Sequence, residues 1–232
     1  MNITIIHGQS HKGTSYYVGR ELVKNFDSCQ VEEFFLPKVI PDFCLGCYQC
    51  LKKDLSHCPH AEKCQPITEA MKNAELLIFT TPVYCMRSSA AMKSLFEHHF
   101  IWWMNHRPEN SMFFKKAIVI AVGAGGGMKK ATADIKVNLE NWGISAIWSY
   151  SIASGVMLWN EVSKKKLDKI KRDMRDLADK IKRKSVRIKK GQKFHFAYMR
   201  FIQKINWCTP EDKAYWQEKG WHEHVRPWRV NL

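Results

Sequence analysis

Two uninterrupted apolar runs constrain the fold of this chain more than any other feature. They are Leu76-Leu77-Ile78-Phe79 and residues 117–122, which read Ala-Ile-Val-Ile-Ala-Val. Apolar runs of this length are typical of strands that are buried on both faces of a parallel sheet. Each run leads into a turn, and a segment with helical spacing of apolar residues follows the turn. The sequence therefore predicts an α/β fold with a parallel sheet.

Three more strands are predicted at residues 3–7, 31–36 and 145–152, with helices between successive strands. Five strands within roughly 155 residues fit a doubly wound sheet of order 2-1-3-4-5, with helices on both faces. Ligands of such sheets bind beyond the carboxyl ends of the strands, where the strand order reverses. The turns predicted at that edge are residues 8–15, 81–88 and 123–128.

The composition fits one domain with an elaborated C-terminal end. The chain has 232 residues, of which 45% are hydrophobic and 12% aromatic, enough for one sizeable core. The N-terminus enters a strand directly, without the features of a signal peptide, and no apolar stretch approaches the ~18 residues of a spanning helix. We therefore expect a cytoplasmic protein, in which clustered cysteines are more often metal ligands or reactive thiols than disulfides.

The first of the three turns has the features of a phosphate-binding loop. Unpaired amides at a helix N-terminus and the helix dipole stabilise a phosphate dianion. The turn has neither the glycine pattern of dinucleotide-binding loops nor the Gly-Lys-Ser/Thr of triphosphate-binding loops, so it suits a single terminal phosphate, as in FMN. The alternative is an ordinary turn that caps the helix with a threonine. The candidate phosphate ligands are Ser10, Lys12, Gly13, Thr14 and Ser15.

Four closely spaced cysteines follow the second predicted strand. Cys44, Cys47, Cys50 and Cys58 have the spacing Cys-x2-Cys-x2-Cys-x7-Cys. The opening of this pattern matches that of ferredoxins, so a [4Fe-4S] cluster is one interpretation. A tetrahedral zinc site is a second, with His60 or Cys64 as alternative fourth ligands. A folded segment that binds no metal is the third.

Several motifs, in order along the chain, resemble the flavodoxin-like NAD(P)H-dependent FMN reductases, and especially their iron–sulfur flavoprotein branch. The resemblance covers residues 1–150. Thr80-Thr81-Pro82-Val83-Tyr84 matches the Gly-Ser-Pro-Val-Tyr of the family, and residues 44–50 match its Cys-x-Gly-Cys-x-x-Cys. Residues 8–15 match its phosphate loop, with Gln9 in place of the usual serine. The segment from Lys164 onward has no counterpart in the minimal family core.

The resemblance implies an oxidoreductase that passes electrons from NAD(P)H through FMN to a quinone, a flavin or another small acceptor. It also implies a homodimer or a higher homo-oligomer, because a neighbouring subunit often completes the flavin pocket in this family. Two turns would line the isoalloxazine ring, since glycine lets the main chain approach a planar ligand. The implied lining residues are Pro82, Val83, Tyr84, Cys85, Gly123, Gly125 and Gly126.

No catalytic side chain is assigned. Flavin chemistry requires the protein to orient and polarise the cofactor, and it needs no side-chain nucleophile. His98, His99 and His106 lie near the end of the helix that follows the Pro-Val-Tyr turn, and we interpret them as structural or solvated. Cys85 is interpreted as a packing residue without a redox role.

Most of the net charge of +15 lies in the C-terminal third. Residues 1–160 contain 16 Lys and Arg against 13 Asp and Glu, whereas residues 161–232 contain 21 against 9. We assign residues 1–185 to a flavodoxin-like FMN-binding domain, with a cysteine-rich insertion at 42–65 that is predicted to be irregular. Residues 186–232 form a basic, aromatic extension.

The extension leaves alternatives open. Residues 194–207 combine aromatic side chains with cations, and such a segment lies on an anionic bilayer, docks in a dimer or covers a substrate entrance. Trp216 and Trp221 favour docking onto the core or onto a partner subunit. No nucleic-acid-binding motif is present, so no nucleic acid is expected. Two other functions remain as alternatives: a flavodoxin-like electron carrier, and a protein that binds membranes or nucleic acid through its basic third.

Overall fold

The computed structural model describes residues 1–229, which form a parallel sheet, eight α-helices and short 3₁₀ turns. The strands are β1 Asn2–His7, β2 Gln30–Phe35, β3 Leu76–Pro82, β4 Lys116–Gly123 and β5 Ala146–Ala153. The helices are α1 Thr14–Val23, α2 Gln49–Lys52, α3 Ala61–Asn73, α4 Ala90–His98, α5 Met128–Asn141, α6 Lys164–Arg183, α7 Lys190–Lys204 and α8 Pro210–Glu218.

The strand order is β2-β1-β3-β4-β5, and every neighbouring pair is parallel. Every residue of β3 is buried, as the uninterrupted apolar run predicted. The five-stranded doubly wound fold of flavodoxin type is thereby confirmed. The strand order reverses between β1 and β3. The chain therefore leaves the carboxyl ends of these two strands in opposite directions, and ligands of such sheets bind in the crevice between them.

Helices cover both faces of the sheet because successive strand residues point to opposite sides. Leu77 and Phe79 pack with apolar residues of α3, α4 and α5 in one core layer. Leu76 and Ile78 pack with α1 and α6 in the other. On α6 the buried residues are Ile170, Met174, Ala178 and Ile181, while Leu167 and Leu177 are half-buried.

Helix α3 begins five residues before Pro66, the position at which the sequence predicts its start. The sequence places a helix start near Pro66 and treats residues 42–65 as irregular, but α3 begins at Ala61 and Pro66 lies inside it. The amide of Ala61 donates to the carbonyl oxygen of Cys58, and that of Cys64 donates to His60. A proline near a helix start removes only one hydrogen bond. The segment of residues 42–65 is therefore less irregular than predicted, because α2 and a 3₁₀ turn at Leu55–His57 also lie within it.

The C-terminal extension folds back onto the core. Trp216 and Trp221 are buried in a third cluster together with Met104, Phe113 and Phe196, so the two tryptophans dock as predicted. The opposite face of α7 is exposed, and its large side chains there are Phe194, Tyr198 and Phe201. None of the described helices combines the length and apolar character needed to cross a bilayer.

Candidate functional site

The carboxyl ends of β1, β3 and β4 bring the three predicted turns into contact. The amide of Gly8 donates to the carbonyl oxygen of Thr80 at 2.7 Å, which joins the first turn to the second. The amide of Val83 donates to the carbonyl oxygen of Val122 at 3.1 Å, which joins the second turn to the strand that leads into the third. The three turns therefore form one surface at the edge of the sheet.

The first turn presents hydrogen-bond donors that nothing in the described chain satisfies. The side chain of Ser15 is 1% exposed and that of Gln9 is 6% exposed, yet Ser15 Oγ and Gln9 Nε2 have no partner among residues 1–229. Gly13 is the N-cap of α1, and no side chain caps the helix. Buried polar groups without partners cost free energy, so this cluster of donors indicates an anionic ligand.

Gln9 is a site residue that the sequence did not predict as a phosphate ligand. A Cβ atom at Gly13 would lie 2.5 Å from Gln9 Nε2, so the Gln9 side chain folds directly over this glycine. Its amide thus supplies a donor where the family has a serine. Among the predicted ligands, Ser15 is buried in the turn, Ser10 and Thr14 are half-buried, and Lys12 is exposed with its Nζ 5.5 Å from the Tyr16 ring centroid.

A buried histidine supports the first turn from below. His7 ends β1, and its Nδ1 lies 2.8 Å from Thr80 Oγ1 on the neighbouring strand. Burial, with a smaller contribution from the charge of Arg20, lowers the pKa of His7 to about 4. His7 is therefore neutral near pH 7 and fixes the ends of β1 and β3 relative to each other. Sequence reasoning missed this residue, because a single histidine in a strand carries no motif.

The second turn is a tight reversal that exposes its tip. Tyr84 and Arg87 exchange two main-chain hydrogen bonds of 3.1 and 2.9 Å. Between them, Cys85 and Met86 have positive φ angles of 48° and 65°. Arg87 Nη1 donates to Asp134 Oδ1 of α5 at 2.8 Å, which anchors the turn. Pro82 is buried, Val83 is half-buried, and Tyr84 is 52% exposed.

Cys85 does not have the packing role that the sequence predicted. Its side chain is exposed at the tip of the second turn.

The glycines of the third turn divide into two groups. A Cβ at Gly127, whose φ is +85°, would lie 2.8 Å from both Met86 Cα and Val83 Cγ1, and one at Gly123 would lie 3.1 Å from Val83 Cβ. These two glycines are needed for close packing of the second and third turns. By contrast, a Cβ at Gly125 would meet nothing within 4 Å. Gly125 therefore leaves open main-chain surface, which a flat ligand can approach.

Exposed apolar side chains border these turns. Tyr84 and Met86 project from the second turn, and Met157 and Leu158 follow the end of β5. The amide of Gly155 donates to the carbonyl oxygen of Ala124 at 3.0 Å, so the segment after β5 lies beside the third turn. Apolar groups exposed together at a sheet edge are typical of a binding surface. Met157 and Leu158 lie outside every motif and were not predicted.

The cysteine segment forms a second candidate site. All four predicted ligands line one small cavity, and each is a free thiol. His60 and His98 line the same cavity, and one potential ligand atom from each of Cys58, His60 and His98 lies within 4.8 Å of the other two. The alternative ligand Cys64 does not line this cavity, and burial raises its pKa to about 12. The structure thus joins His98, which the sequence left as structural or solvated, to the cysteines.

The three histidines near the end of α4 have different surroundings. His99 is fully buried, and its Nε2 lies 2.8 Å from Thr68 Oγ1. His106 Nδ1 lies 2.8 Å from Asp212 Oδ2 in the extension. These two are structural, as interpreted from the sequence.

Solved structures with the same fold include several flavin enzymes. The chain is similar to an NADH:FMN oxidoreductase in its apo form (TM-score 0.54, 17% identity, 79% of this chain and 91% of that chain covered). It is also similar to an FMN-dependent NADH-azoreductase from Bacillus anthracis in complex with FMN (TM-score 0.53, 12% identity, coverage 78% and 99%). A third similar structure is a flavone reductase (TM-score 0.58, 14% identity, coverage 79% and 64%). At these identities the likeness shows the fold.

No curated protein shows significant sequence similarity to the chain. The family is shown by a model described as NADPH-dependent FMN reductase, which matches residues 1–156 of the 232. This match spans all five strands and the three turns at their carboxyl ends. The chain therefore belongs to the NADPH-dependent FMN reductase family and is an oxidoreductase.

Proposed function

We propose that the protein binds FMN across the three turns and uses it to pass electrons from NAD(P)H to a small acceptor such as a quinone or a flavin. The observation that carries this proposal is the pair of buried donors, Ser15 Oγ and Gln9 Nε2, which have no partner in the described chain and lie beside the uncapped start of α1. This is the chemistry that a phosphate requires, at the edge of the sheet where ligands of this fold bind.

The residues of the first turn fit the phosphate of FMN. The main-chain amides at the start of α1, the Ser15 hydroxyl and the Gln9 amide supply donors without a competing carboxylate on any of these residues. The exposed Lys12 adds positive charge beside the turn. Hydrogen bonds to a charged acceptor contribute about 1.5–3 kcal/mol each, so two or three of them account for selection of a phosphorylated flavin.

The second and third turns fit an isoalloxazine ring. Pro82, Val83 and Tyr84 would border one edge of the ring, and the open main chain at Gly125 would lie against it, with Gly126 beside the Met86 side chain. Arg87 and Asp134 hold the second turn in place through their ion pair. The exposed Met157 and Leu158 extend the apolar border.

When bound, flavin supplies the redox chemistry: it accepts a hydride equivalent from a nicotinamide and returns electrons to a second substrate. The protein groups around the turns bind and orient the cofactor. No side chain at the three turns combines a nucleophile with a neighbouring base, and the reaction class needs none. His7 remains neutral and keeps its hydrogen bond to Thr80, which holds the first and second turns in register.

The exposed side chains and the free thiols bear on the oligomeric state and the location of the protein. Tyr84 and Met86 are exposed at the second turn. We propose a homodimer in which a second copy of the chain packs on these side chains and covers the flavin. We place the protein in the cytoplasm, where its eight free thiols remain reduced. The [4Fe-4S] interpretation of the cysteine pocket stays a prediction, and no electron step proposed here passes through that pocket.

A non-enzymatic electron carrier is the alternative function. Carriers of this fold dock on partners through an acidic surface, whereas residues 1–160 of this chain carry 16 cations against 13 anions. A nearly balanced core favours reaction with small acceptors over docking with a basic protein partner.

Comparing the affinities of FMN and riboflavin tests the proposal, because the two differ only in the terminal phosphate. Titrating flavin-free protein and following the quenching of flavin fluorescence gives both dissociation constants. We expect FMN to bind at least roughly a hundredfold more tightly than riboflavin, from two or more lost charge-assisted hydrogen bonds. Equal affinities would show that the first turn does not hold a phosphate.

A further inference from the structure

The ends of α4 and of the cysteine segment place a thiol and two imidazoles around one point. Cys58 and His60 lie just before α3, and His98 is the last residue of α4. One potential ligand atom from each lies within 4.8 Å of the other two. In a tetrahedral zinc site with Zn–S and Zn–N bonds of normal length, neighbouring ligand atoms lie about 3.3–3.8 Å apart. A small closure of the segment would bring all three within reach of one ion.

The hydrogen bond of Nε2 decides which ring nitrogen of His98 carries the proton. His98 Nε2 lies 3.0 Å from the carbonyl oxygen of Asp42. A carbonyl only accepts, so Nε2 carries the proton and Nδ1 presents its lone pair. His98 is 4% exposed, and this Nδ1 is buried without a partner within residues 1–229. Metal-binding histidines typically donate their second ring nitrogen to a carbonyl or carboxylate in this way.

His60 adds a second buried nitrogen. Its Nδ1 likewise has no partner in the described part of the chain, and its ring centroid lies 5.3 Å from that of His98 at an interplanar angle of 72°. Both imidazoles line the cavity. Two unsatisfied ring nitrogens beside one thiol are costly unless a ligand pairs with them.

The turn that carries the first three cysteines lines the same cavity. Gly46 and Tyr48 both have left-handed backbone conformations, with φ of 62° and 58°. A non-glycine residue in this region costs free energy and is found where function over-determines the backbone. The result is that Cys44, Cys47 and Cys50 line the cavity with Cys58.

The size of the cavity fits one ion. It holds ≈ 20 Å³, close to the space that a single water molecule occupies. The donor set of thiols and imidazoles also matches zinc, whereas calcium and magnesium bind oxygen ligands.

We propose that Cys58, His60 and His98 bind a single zinc ion, with one thiolate from the turn of residues 44–50 as the fourth ligand. This structural site would pin the cysteine segment to the end of α4. A closed tetrahedral ion of this kind has no redox chemistry and leaves no open position for a substrate. None of these three ligands lies in the turns of residues 8–15, 81–88 and 123–128 that we propose for flavin binding.

Metal analysis of the full-length protein tests the proposal. After removal of metals with a chelator under reducing conditions, the protein is titrated with zinc against a chromophoric chelator and, separately, with cobalt(II). We expect one equivalent of either ion to bind, and the cobalt protein to show visible d–d bands of a tetrahedral site together with thiolate charge-transfer absorption. Zinc is also expected to raise the midpoint of thermal unfolding.

Variants identify the ligands. Loss of a direct ligand should weaken zinc binding at least as much as the roughly 10–100-fold seen when a partner of a ligand is lost. We expect this for His98→Ala, Cys58→Ser and His60→Ala. His60 is only half-buried, so its replacement should disturb folding less than that of the buried His98. His57→Ala is the matched control, because His57 is an exposed histidine of the same segment and does not line the cavity; its affinity should be unchanged. Binding of four irons with sulfide, or zinc binding that His60→Ala and His98→Ala leave intact, would overturn the proposal.

Discussion

Asp212 of the C-terminal extension accepts a hydrogen bond from Arg107 of the core, with 2.9 Å between Asp212 Oδ1 and Arg107 Nε. The carboxylate is completely buried, and its other oxygen lies 2.8 Å from His106 Nδ1. The guanidinium of Arg107 also donates to the carbonyl oxygens of Leu51 and Lys53. One buried ion pair therefore ties the extension, the core and the cysteine segment together.

Removing this carboxylate should loosen the extension. We expect Asp212→Ala to lower the free energy of unfolding by about 3–5 kcal/mol, because Arg107 would be left buried without its partner. Urea denaturation measures the loss, and limited proteolysis after residue 186 should become faster. Asp176→Ala is the control, since Asp176 and its neighbour Arg175 are both largely exposed and 3.9 Å apart. Equal stability of the two variants would contradict this role.

Ser15 should be needed for FMN and dispensable for folding. Replacing it by alanine removes a hydrogen bond to the phosphate, which is worth about 1.5–3 kcal/mol, or roughly 10–100-fold in the dissociation constant for FMN. The stability of the flavin-free protein should not fall, because the hydroxyl has no partner there within residues 1–229. Ser111→Ala removes another unpartnered hydroxyl, in the 3₁₀ turn at residues 110–114, and should leave FMN affinity unchanged. A Ser15→Ala protein that binds FMN normally would rule out this contact.

The two kinds of glycine in the third turn should differ in their tolerance of alanine. Gly127→Ala forces a Cβ against Met86 and Val83 at a positive φ, so we expect a loss of about 1–3 kcal/mol in unfolding free energy. Gly125→Ala places its Cβ in open space and should cost little stability. Thermal unfolding of both variants without flavin makes the comparison. If both were equally stable, the packing of the second turn on the third would not be as described.

Stability should decline in mild acid because two buried histidines resist protonation. Burial lowers the pKa of His99 to about 4, and burial together with Arg20 does the same for His7. Below the unfolded value of 6.5 the unfolded chain takes up protons that the folded chain does not. The stabilisation is therefore complete above about pH 6.5 and is lost as the pH falls toward 4, by up to roughly 1.4 kcal/mol per pH unit for each histidine.

Denaturation midpoints measured across this pH range check the assignment. The slope of stability against pH should become shallower in His99→Gln. It should stay the same in His57→Gln, which changes an exposed histidine. An unchanged slope in His99→Gln would show that this buried ring does not carry the effect.

The sheet could be predicted from sequence because its signal is local. Strands such as Leu76–Pro82 are buried on both faces, so nearly every residue is apolar and the run stands out. The three turns follow from the same reasoning, since the carboxyl ends of parallel strands meet at one edge. The start of α3 was missed because proline is most common at the first position of a helix, whereas Pro66 lies five residues inside this one.

The chemistry within the sites depends on contacts between distant residues. Gln9 was recognised as a departure from the family pattern, but its position over Gly13 emerges only in the folded turn. His98 joins Cys58 and His60 although it lies 40 and 38 residues away from them along the chain, at the end of a different helix. No local sequence pattern indicates that these three residues lie close together in the fold.

Reduction of the reconstituted protein by NADPH under anaerobic conditions tests the central claim most directly. The account predicts that protein incubated with FMN stays yellow after removal of free flavin, that NADPH alone bleaches its absorption, and that a quinone restores it. Protein that remains colourless after incubation with FMN would contradict the account, and so would a bound flavin that NADPH does not reduce.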